Sequence, residues 1–126
     1  MADESIGFQI EDISKYSKIR ADYIGKQYNV VEIDFKVVKT KSGILDLFSN
    51  QLRFPSYFGS NWDALWDCIK DLEWLETKNT AVLIKDGRKL EDRESYNTLR
   101  DILRDATPYW RRYDVDFVTV MFEQNQ

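Results

Sequence analysis

The sequence predicts an α/β fold in which a three-stranded, mostly parallel sheet packs with three to four helices, after an N-terminal extension. Two observations lead to this prediction. Short runs rich in β-branched residues alternate with longer stretches of helical periodicity, and a dozen or more residues separate successive runs, as parallel strands require. With 126 residues, 43% of them hydrophobic, the chain is long enough for one domain with its own core.

The chain is predicted to divide into an N-terminal extension, residues 1–28, and a main domain, residues 29–126. Apolar residues in the extension recur at intervals of three to four, which predicts one face of a short helix. These residues are Ile10, Ile13, Tyr16, Ile19, Tyr23 and Ile24.

The main domain begins with a β-rich run, which predicts the first strand. Its members are Val30, Val31, Ile33, Phe35, Val37 and Val38. A helix follows, for which Ser42 is the predicted N-cap, and Pro55 discourages its continuation. The apolar positions of this helix are Ile44, Leu45, Leu47, Phe48 and Leu52.

The remaining elements follow in the order helix, strand, helix, strand. A second helix is predicted over residues 60–74, where the sequence Ser-Asn-Trp-Asp resembles a capping box. Residues 80–84 form a short apolar run, which predicts the second strand. A third helix is predicted over residues 92–106, ending before Pro108, and residues 115–121 predict the last strand.

The residue types that are missing exclude several classes of function. There is no histidine, so Ser-His-Asp and Cys-His nucleophilic systems, imidazole bases and the usual zinc sites are excluded. Cys68 is the only cysteine, which excludes an intrachain disulfide and fits a reducing cytosol. The glycines are isolated, so no phosphate-binding loop motif is present. We therefore expect no enzymatic activity, no cofactor and no metal.

The charge of the chain is concentrated in one segment. The formal net charge of −4 argues against direct nucleic-acid binding, which needs a basic surface. Residues 57–76 contain five acids and one base and carry the whole net charge, because the 17 acids and 17 bases elsewhere cancel.

No apolar stretch approaches the roughly 18 residues of a membrane span. We therefore expect no membrane association and a cytoplasmic location.

An acidic stripe runs along the second predicted helix. Asp63, Asp67 and Asp71 lie on one side at i, i+4 and i+8, opposite a broad apolar face. Like charges at this spacing destabilise a helix by about 0.2 to 0.5 kcal/mol per pair. Charged outer faces are also common on solvated helices. The neighbouring aromatic residues Tyr57 and Phe58 favour an interface, because aromatic anchors beside charge are typical of binding hot spots.

The stretch from Tyr57 to Cys68, which reads Tyr-Phe-Gly-Ser-Asn-Trp-Asp-Ala-Leu-Trp-Asp-Cys, resembles the barstar family. The flanking pattern of strands and helices agrees, so that the resemblance covers roughly residues 29 to 122. It implies a barstar-like fold and a small inhibitor of a basic bacterial ribonuclease, either before export of the nuclease or as immunity against a delivered nuclease toxin. Neither role requires catalysis.

The resemblance implies roles for three acidic residues. Asp67 would be the central carboxylate, pairing with the cations that otherwise hold an RNA phosphate in the nuclease, and Asp63 would support it from one turn earlier. Asp105 would be an outlying acid, because the sequence Arg-Asp-Ala around it aligns with an Arg-Glu-Ala sequence of the family.

The resemblance also implies contacts from the loop and the helix face. Tyr57 and Gly59 match the binding loop, Asn61 matches the start of the helix, and Trp66 matches its face in a structural position. The family's second binding aromatic falls on Leu72 in this chain. The predicted partner-binding residues are Tyr57, Phe58, Gly59, Asn61, Asp63, Trp66, Asp67, Asp71 and Asp105.

Two other functions remain open at the level of sequence. Asp63 and Asp67 could bind a divalent metal or act as an acid and base pair in an enzyme, although no motif supplies a third ligand. A barstar-like module could instead provide immunity to a toxin, or bind a basic protein, that is not a ribonuclease.

Overall fold

A sheet of four parallel strands forms the centre of the molecule. The computed structural model describes residues 7–56 and 58–124. The strands are β1 (Phe8–Asp12), β2 (Asn29–Asp34), β3 (Thr80–Lys85) and β4 (Phe117–Glu123). Across the sheet they lie in the order β1-β4-β3-β2, and every neighbouring pair is parallel.

Helices connect the strands, as parallel pairing requires. The α-helices of the described residues are α1 (Tyr16–Gly25), α2 (Lys41–Gln51), α3 (Trp62–Ile69) and α4 (Arg93–Arg111). Short 3₁₀ helices are formed by Ile13–Lys15 and Gly87–Lys89. Within this part of the chain, no helix has both the length and the apolar composition needed to cross a bilayer.

Helices cover both faces of the sheet. Alternate residues of β3 point to opposite sides, so that Val82 and Ile84 join the main core with α2, α3 and α4, whereas Ala81 and Leu83 join a smaller core. The side chains that cover the smaller core include Ile13, Tyr16, Ile19 and Tyr23. Because both faces are covered, β3 and β4 are buried over nearly their whole length.

The α/β class and the parallel sheet are as predicted, but the sheet has four strands rather than three. The additional strand is β1, which pairs with β4 so that Phe8 lies opposite Thr119. Ile10, predicted on a helix face, lies in this edge strand and is 66% exposed. Helix α1 starts only at Tyr16. The spacing of Ile10 and Ile13 fits a helix, but hydrogen bonding with β4 holds residues 8–12 in an extended conformation.

The first predicted strand and helix have different boundaries in the structure. β2 ends at Asp34, because its carbonyl oxygen accepts hydrogen bonds from the N–H groups of Val37 and Val38, both at 2.9 Å. Val37 therefore lies in a turn, and Val38 directly follows it, outside the strand. Helix α2 is capped by Thr40 rather than by Ser42, because the Thr40 hydroxyl accepts a first-turn N–H at 3.0 Å.

Helix α4 is longer than predicted and continues through Pro108. A proline inside a helix removes a backbone hydrogen bond and costs about 3 kcal/mol. Trp110 offsets this cost, because its side chain is buried and its Nε1 donates a hydrogen bond to the carbonyl of Ile69 at 2.8 Å. The last strand, predicted from residue 115, begins at Phe117.

Candidate partner-binding surface

Asn61 fixes the start of helix α3. Its Oδ1 accepts a hydrogen bond from the N–H of Ala64 at 2.7 Å, and its Nδ2 donates to the carbonyl of Gly59 at 3.5 Å. The N-cap is therefore one residue later than the predicted capping box places it, and Ser60 has a left-handed φ of 55°. An Asn at this position stabilises a helix by about 1 kcal/mol relative to alanine.

Helix α3 presents two carboxylates on its exposed face. Leu65, Cys68 and Ile69, on the other side, are buried in the main core, which fixes the rotation of the helix about its axis. Asp63 and Asp67 lie one turn apart and are exposed. Neither forms an ion pair with a lysine or arginine of the described residues. Both charges are therefore available to a partner.

Asp71 is not part of this exposed helix face, contrary to prediction. Helix α3 ends at Ile69 rather than near residue 74, and Leu72 adopts a left-handed φ of 54° with its side chain fully buried. Asp71 lies in the turn between them, where its Oδ1 accepts a hydrogen bond from the N–H of Glu73 at 3.4 Å. The predicted acidic stripe of three residues is therefore a helical pair followed by a turn residue.

An open groove with a volume of about 240 Å³ runs between α3 and α4. Its lining consists of Trp62, Asp63, Trp66, Thr98, Asp101, Ile102 and Asp105. The fold therefore brings Asp63 and Asp105 to one groove although they are far apart in sequence. Asp67 is on the same helix as Asp63 but does not line the groove.

Asp101 is a residue of this groove that the sequence did not single out. It is exposed, lies one turn before Asp105 on α4, and forms an exposed ion pair with Arg104 at 3.9 Å. The available signal was the four-residue spacing of the two aspartates, which repeats that of Asp63 and Asp67. That signal does not reveal which helix α4 packs against, so the groove could not be located from sequence.

The loop before α3 is held to the core by an aromatic contact. Tyr57, one of the predicted binding residues, lies outside the residues that the structure describes. Phe58 is half-buried, and its ring packs edge-on against Phe54 with centroids 4.9 Å apart. The N–H of Phe58 donates to the carbonyl of Pro55 at 3.0 Å. Gly59 is exposed at the end of the loop.

Aromatic and cationic side chains form the other end of this surface, where α3 ends against α4. The rings of Trp66 and Tyr109 lie 6.1 Å apart, and the Tyr109 hydroxyl donates to the carbonyl of Lys70 at 3.2 Å. The Lys70 ammonium lies 4.9 Å from the Trp66 ring centroid, and the Arg112 guanidinium lies 5.2 Å from that of Tyr109. Such cation–π contacts contribute about 0.5 to 1 kcal/mol at exposed sites.

Cys68 is a free thiol on the buried side of α3. Burial raises the pKa of this thiol above its ordinary value, and the negative charges of Asp71 and Asp67 raise it further. Both effects disfavour the thiolate, which is the reactive form. Cys68 therefore behaves as a small apolar residue of the core.

The carboxylates of the surface are spread along two helices rather than gathered around a centre. Within residues 7–56 and 58–124, no three side chains of His, Cys, Asp or Glu lie close enough together to hold a metal ion. Asp63 and Asp67 face solvent on an open helix surface.

Comparisons with known proteins identify the family of the chain. The family model described as Barstar (barnase inhibitor) matches residues 28–121. A protein of Bacillus subtilis (strain 168) named "Putative ribonuclease inhibitor YrdF" is 45% identical over 38 residues. That alignment covers 30% of this chain and 40% of the relative, well under two thirds of either. Because the family model matches about three-quarters of its length, the chain belongs to the barstar family.

Proposed function

We propose that this protein inhibits a ribonuclease of the barnase type by covering its active site with the exposed face of α3 and the loop before it. Membership of the barstar family supports the inhibitor role. The observation that carries the proposal is the pair Asp63 and Asp67. These carboxylates are exposed one turn apart, without an ion-pair partner among the described residues, on a helix whose other side is buried.

The proposed inhibition is electrostatic and steric. A ribonuclease active site is a concave surface whose cationic side chains hold phosphates, so a projecting anionic helix can occupy the same groups. In this proposal Asp67 pairs with those cations at the centre, and Asp63 supports it from one turn earlier. Asp105 contacts the rim of the active site from the other side of the groove.

The acidic face needs no rearrangement before binding. Asn61 caps the helix, and Leu65 and Ile69 anchor it in the core, so that the helix carrying the two carboxylates is already ordered in the unbound protein. A surface that is already ordered loses less conformational entropy on association, which favours tight binding.

The other predicted residues take supporting places in this interface. Tyr57, Phe58 and Gly59 would extend the contact from the loop, where Phe58 is half-buried and Gly59 exposed. Trp66 would support the helix, because its ring packs against α4. Asp71 would contact the partner only at the margin, since it lies in the turn after α3.

The proposal places the protein in the cytoplasm as a non-catalytic neutraliser of a basic bacterial ribonuclease or nuclease toxin. Residues 29–126 would form the inhibitor domain, and the family match over residues 28–121 supports this part of the proposal. Residues 1–28 would act as an extension, whose described part contributes the edge strand β1 and helix α1, the latter on the face of the sheet opposite α3.

The experiment is a titration of the purified protein into a barnase-type ribonuclease while RNA cleavage is followed. We expect inhibition at one equivalent. Asp67→Ala should raise the inhibition constant at least about 30-fold, which corresponds to about 2 kcal/mol of binding free energy. The reason is that it removes the central carboxylate of a desolvated ion pair with the ribonuclease. Asp22→Ala is the matched control: Asp22 is also an exposed helical aspartate, but it lies on α1 at the opposite face of the sheet.

The controls test separately whether the target is a ribonuclease and whether Asp67 is the central contact. Circular dichroism and a thermal melt verify that both variants are folded. A folded wild-type protein that does not inhibit would contradict the ribonuclease target, and capture of a different basic protein would then favour a barstar-like interaction module. Equal inhibition by wild type and Asp67→Ala would contradict the central role of Asp67.

A further inference from the structure

Two cations lie beside the acidic face of α3, at the end where this helix packs against α4. The Lys70 ammonium lies over the ring of Trp66, and the Arg112 guanidinium lies over that of Tyr109, at 4.9 and 5.2 Å from the ring centroids. The two rings pack edge-on against each other. Lys70 and Arg112 therefore belong to one surface, in which cations from two different elements rest on adjoining aromatic rings.

Neither cation is neutralised within the described part of the chain. No carboxylate of residues 7–56 and 58–124 forms an ion pair with Lys70 or Arg112. Lys70 follows Asp67 by three residues, a spacing at which helical neighbours can pair, yet its ammonium lies over the Trp66 ring. The surface thus presents an anion and a cation next to each other, and each is available to a partner.

Local helix stability accounts for part of this arrangement. Lys70 follows the last turn of α3 and Arg112 follows that of α4, where the helix dipole favours positive charge. The dipole does not require that the cations of two helices share one aromatic cluster. Tyr113 extends this cluster: its ring lies 5.6 Å from that of Tyr109, and the residue is 59% exposed. An exposed aromatic flanked by unpaired charge is typical of an interface.

We propose that Lys70 and Arg112 contact an acidic patch that lies beside the cationic active site of the partner ribonuclease. This inference rests on the proposed function and specifies the partner further. The inhibitor surface changes sign at the end of α3, from Asp63 and Asp67 on the helix to Lys70 just after it, and a complementary partner changes sign in the opposite direction. Such a pattern fixes the register of the complex and disfavours basic nucleases without the acidic patch.

Neutralising Lys70 and Arg112 changes the binding affinity in opposite directions for an acidic and for a cationic partner surface. If the partner surface were cationic throughout, Lys70 and Arg112 would repel it, and neutralising them would tighten binding. If the partner has an acidic patch opposite them, neutralising them weakens binding. The difference is largest at low ionic strength, because salt screens charges that are separated by more than about 8 to 10 Å.

The experiment measures association and dissociation rates of the wild-type protein with its ribonuclease at low and high salt, beside Lys70→Gln, Arg112→Gln and the double variant. We expect each single change to weaken binding by roughly two- to fivefold, mainly through slower association at low salt. Lys70→Arg should retain wild-type affinity. Lys26→Gln is the matched control, because Lys26 also lies over a tyrosine ring, that of Tyr23 beside the smaller core.

Asp67→Ala in the same series separates the two proposals. Unchanged or tighter binding by Lys70→Gln and Arg112→Gln, together with weak binding by Asp67→Ala, would overturn the acidic patch and leave the proposed function intact. A wild-type protein that binds no basic ribonuclease would overturn both. Weaker binding by the two variants, with Lys26→Gln and the thermal melts unchanged, would support the acidic patch.

Discussion

At the scale of single residues, the side of α3 on which a residue lies determines its chemistry. Asp63 and Asp67 face solvent, where their charges can reach a partner. Cys68 lies on the buried side of the same helix, where burial, Asp71 and Asp67 all raise the pKa of its thiol. A thiol with a raised pKa forms little thiolate at neutral pH. The same helix therefore carries a cysteine of low reactivity, Cys68, and two solvent-accessible carboxylates, Asp63 and Asp67.

The inertness of Cys68 can be tested with a thiol reagent. At about pH 8 we expect the folded protein to react with an aromatic disulfide at least about tenfold more slowly than an unstructured cysteine peptide. Unfolding in urea should restore the full rate, because it removes the burial that raises the thiol pKa. A native protein that reacts as fast as the peptide would show that Cys68 is exposed.

The acidic pair of the candidate site could be predicted because charge and spacing are written in the sequence. Asp63 and Asp67 follow directly from a helical wheel. The position of Asp71 could not be predicted, because the left-handed backbone of the buried Leu72 belongs to the turn that ends α3. Asp101 enters the groove only through the packing of α4 on α3, which no local pattern encodes.

At the scale of helices and strands, local caps set the starts of three helices, whereas the end of α4 and the position of β1 depend on tertiary contacts. Thr40, Asn61 and Asp92 each accept a hydrogen bond from an N–H three residues later, so the starts of α2, α3 and α4 were predicted to within about two residues. The end of α4 was not predicted, because the contact of Trp110 with α3 carries the helix past a proline. Strand β1 was missed for a similar reason, since its partner β4 lies at the other end of the chain.

We expect the cap of α4 to contribute to the pH dependence of stability. Asp92 accepts hydrogen bonds from Ser95, from Oγ at 2.7 Å and from N–H at 3.0 Å, and these lower the pKa of Asp92 below its ordinary 3.8. A carboxyl whose pKa is lowered by folding contributes stability above its unfolded pKa, and this contribution is lost as pH falls through the folded pKa.

We therefore expect Asp92→Asn to reduce the acid sensitivity of the fold. Asparagine also caps helices, but it does not titrate. Between about pH 5 and pH 2.5 the wild-type protein should lose more free energy of unfolding than the variant, as measured by urea unfolding at each pH. Asp46→Asn, an exposed position within α2, serves as the control. If Asp92→Asn loses as much stability as wild type, the cap does not contribute to the acid response.

At the scale of the whole molecule, the segment before the family match completes the sheet. β1 adds the strand beside β4, and α1 covers the smaller core. Polar contacts hold α1 in place: the Tyr16 hydroxyl donates to Glu32 on β2, and Arg20 forms an ion pair with the same carboxylate at 3.0 Å. The face with the acidic pair and the face with α1 therefore lie on opposite sides of one sheet.

Packing at the start of β1 can be tested at Gly7. A Cβ atom there would lie 2.8 Å from Oγ1 and 3.0 Å from Cβ of the buried Thr107, which is held by a hydrogen bond from its hydroxyl to the carbonyl of Phe117 at 2.6 Å. We expect Gly7→Ala to lower the free energy of unfolding by about 1 to 3 kcal/mol, as overpacking typically does.

Gly25→Ala is the matched control for this substitution. Gly25 lies at the end of α1, and a Cβ atom there would meet no atom beyond its neighbours within 4 Å. We expect this variant to be as stable as wild type or slightly more stable, because alanine restricts the unfolded chain. Equal stability of the Gly7 and Gly25 variants in chemical unfolding would contradict tight packing between Gly7, just before β1, and Thr107 on α4.

The central claim is that an exposed acidic helix occupies the active site of a ribonuclease. The most direct test compares wild type with Asp67→Ala in a titration of a barnase-type ribonuclease, with RNA cleavage as the readout. Wild type is expected to abolish cleavage at one equivalent, and the folded variant to bind at least about 30-fold more weakly. Cleavage that continues undiminished in the presence of folded wild-type protein would contradict the claim.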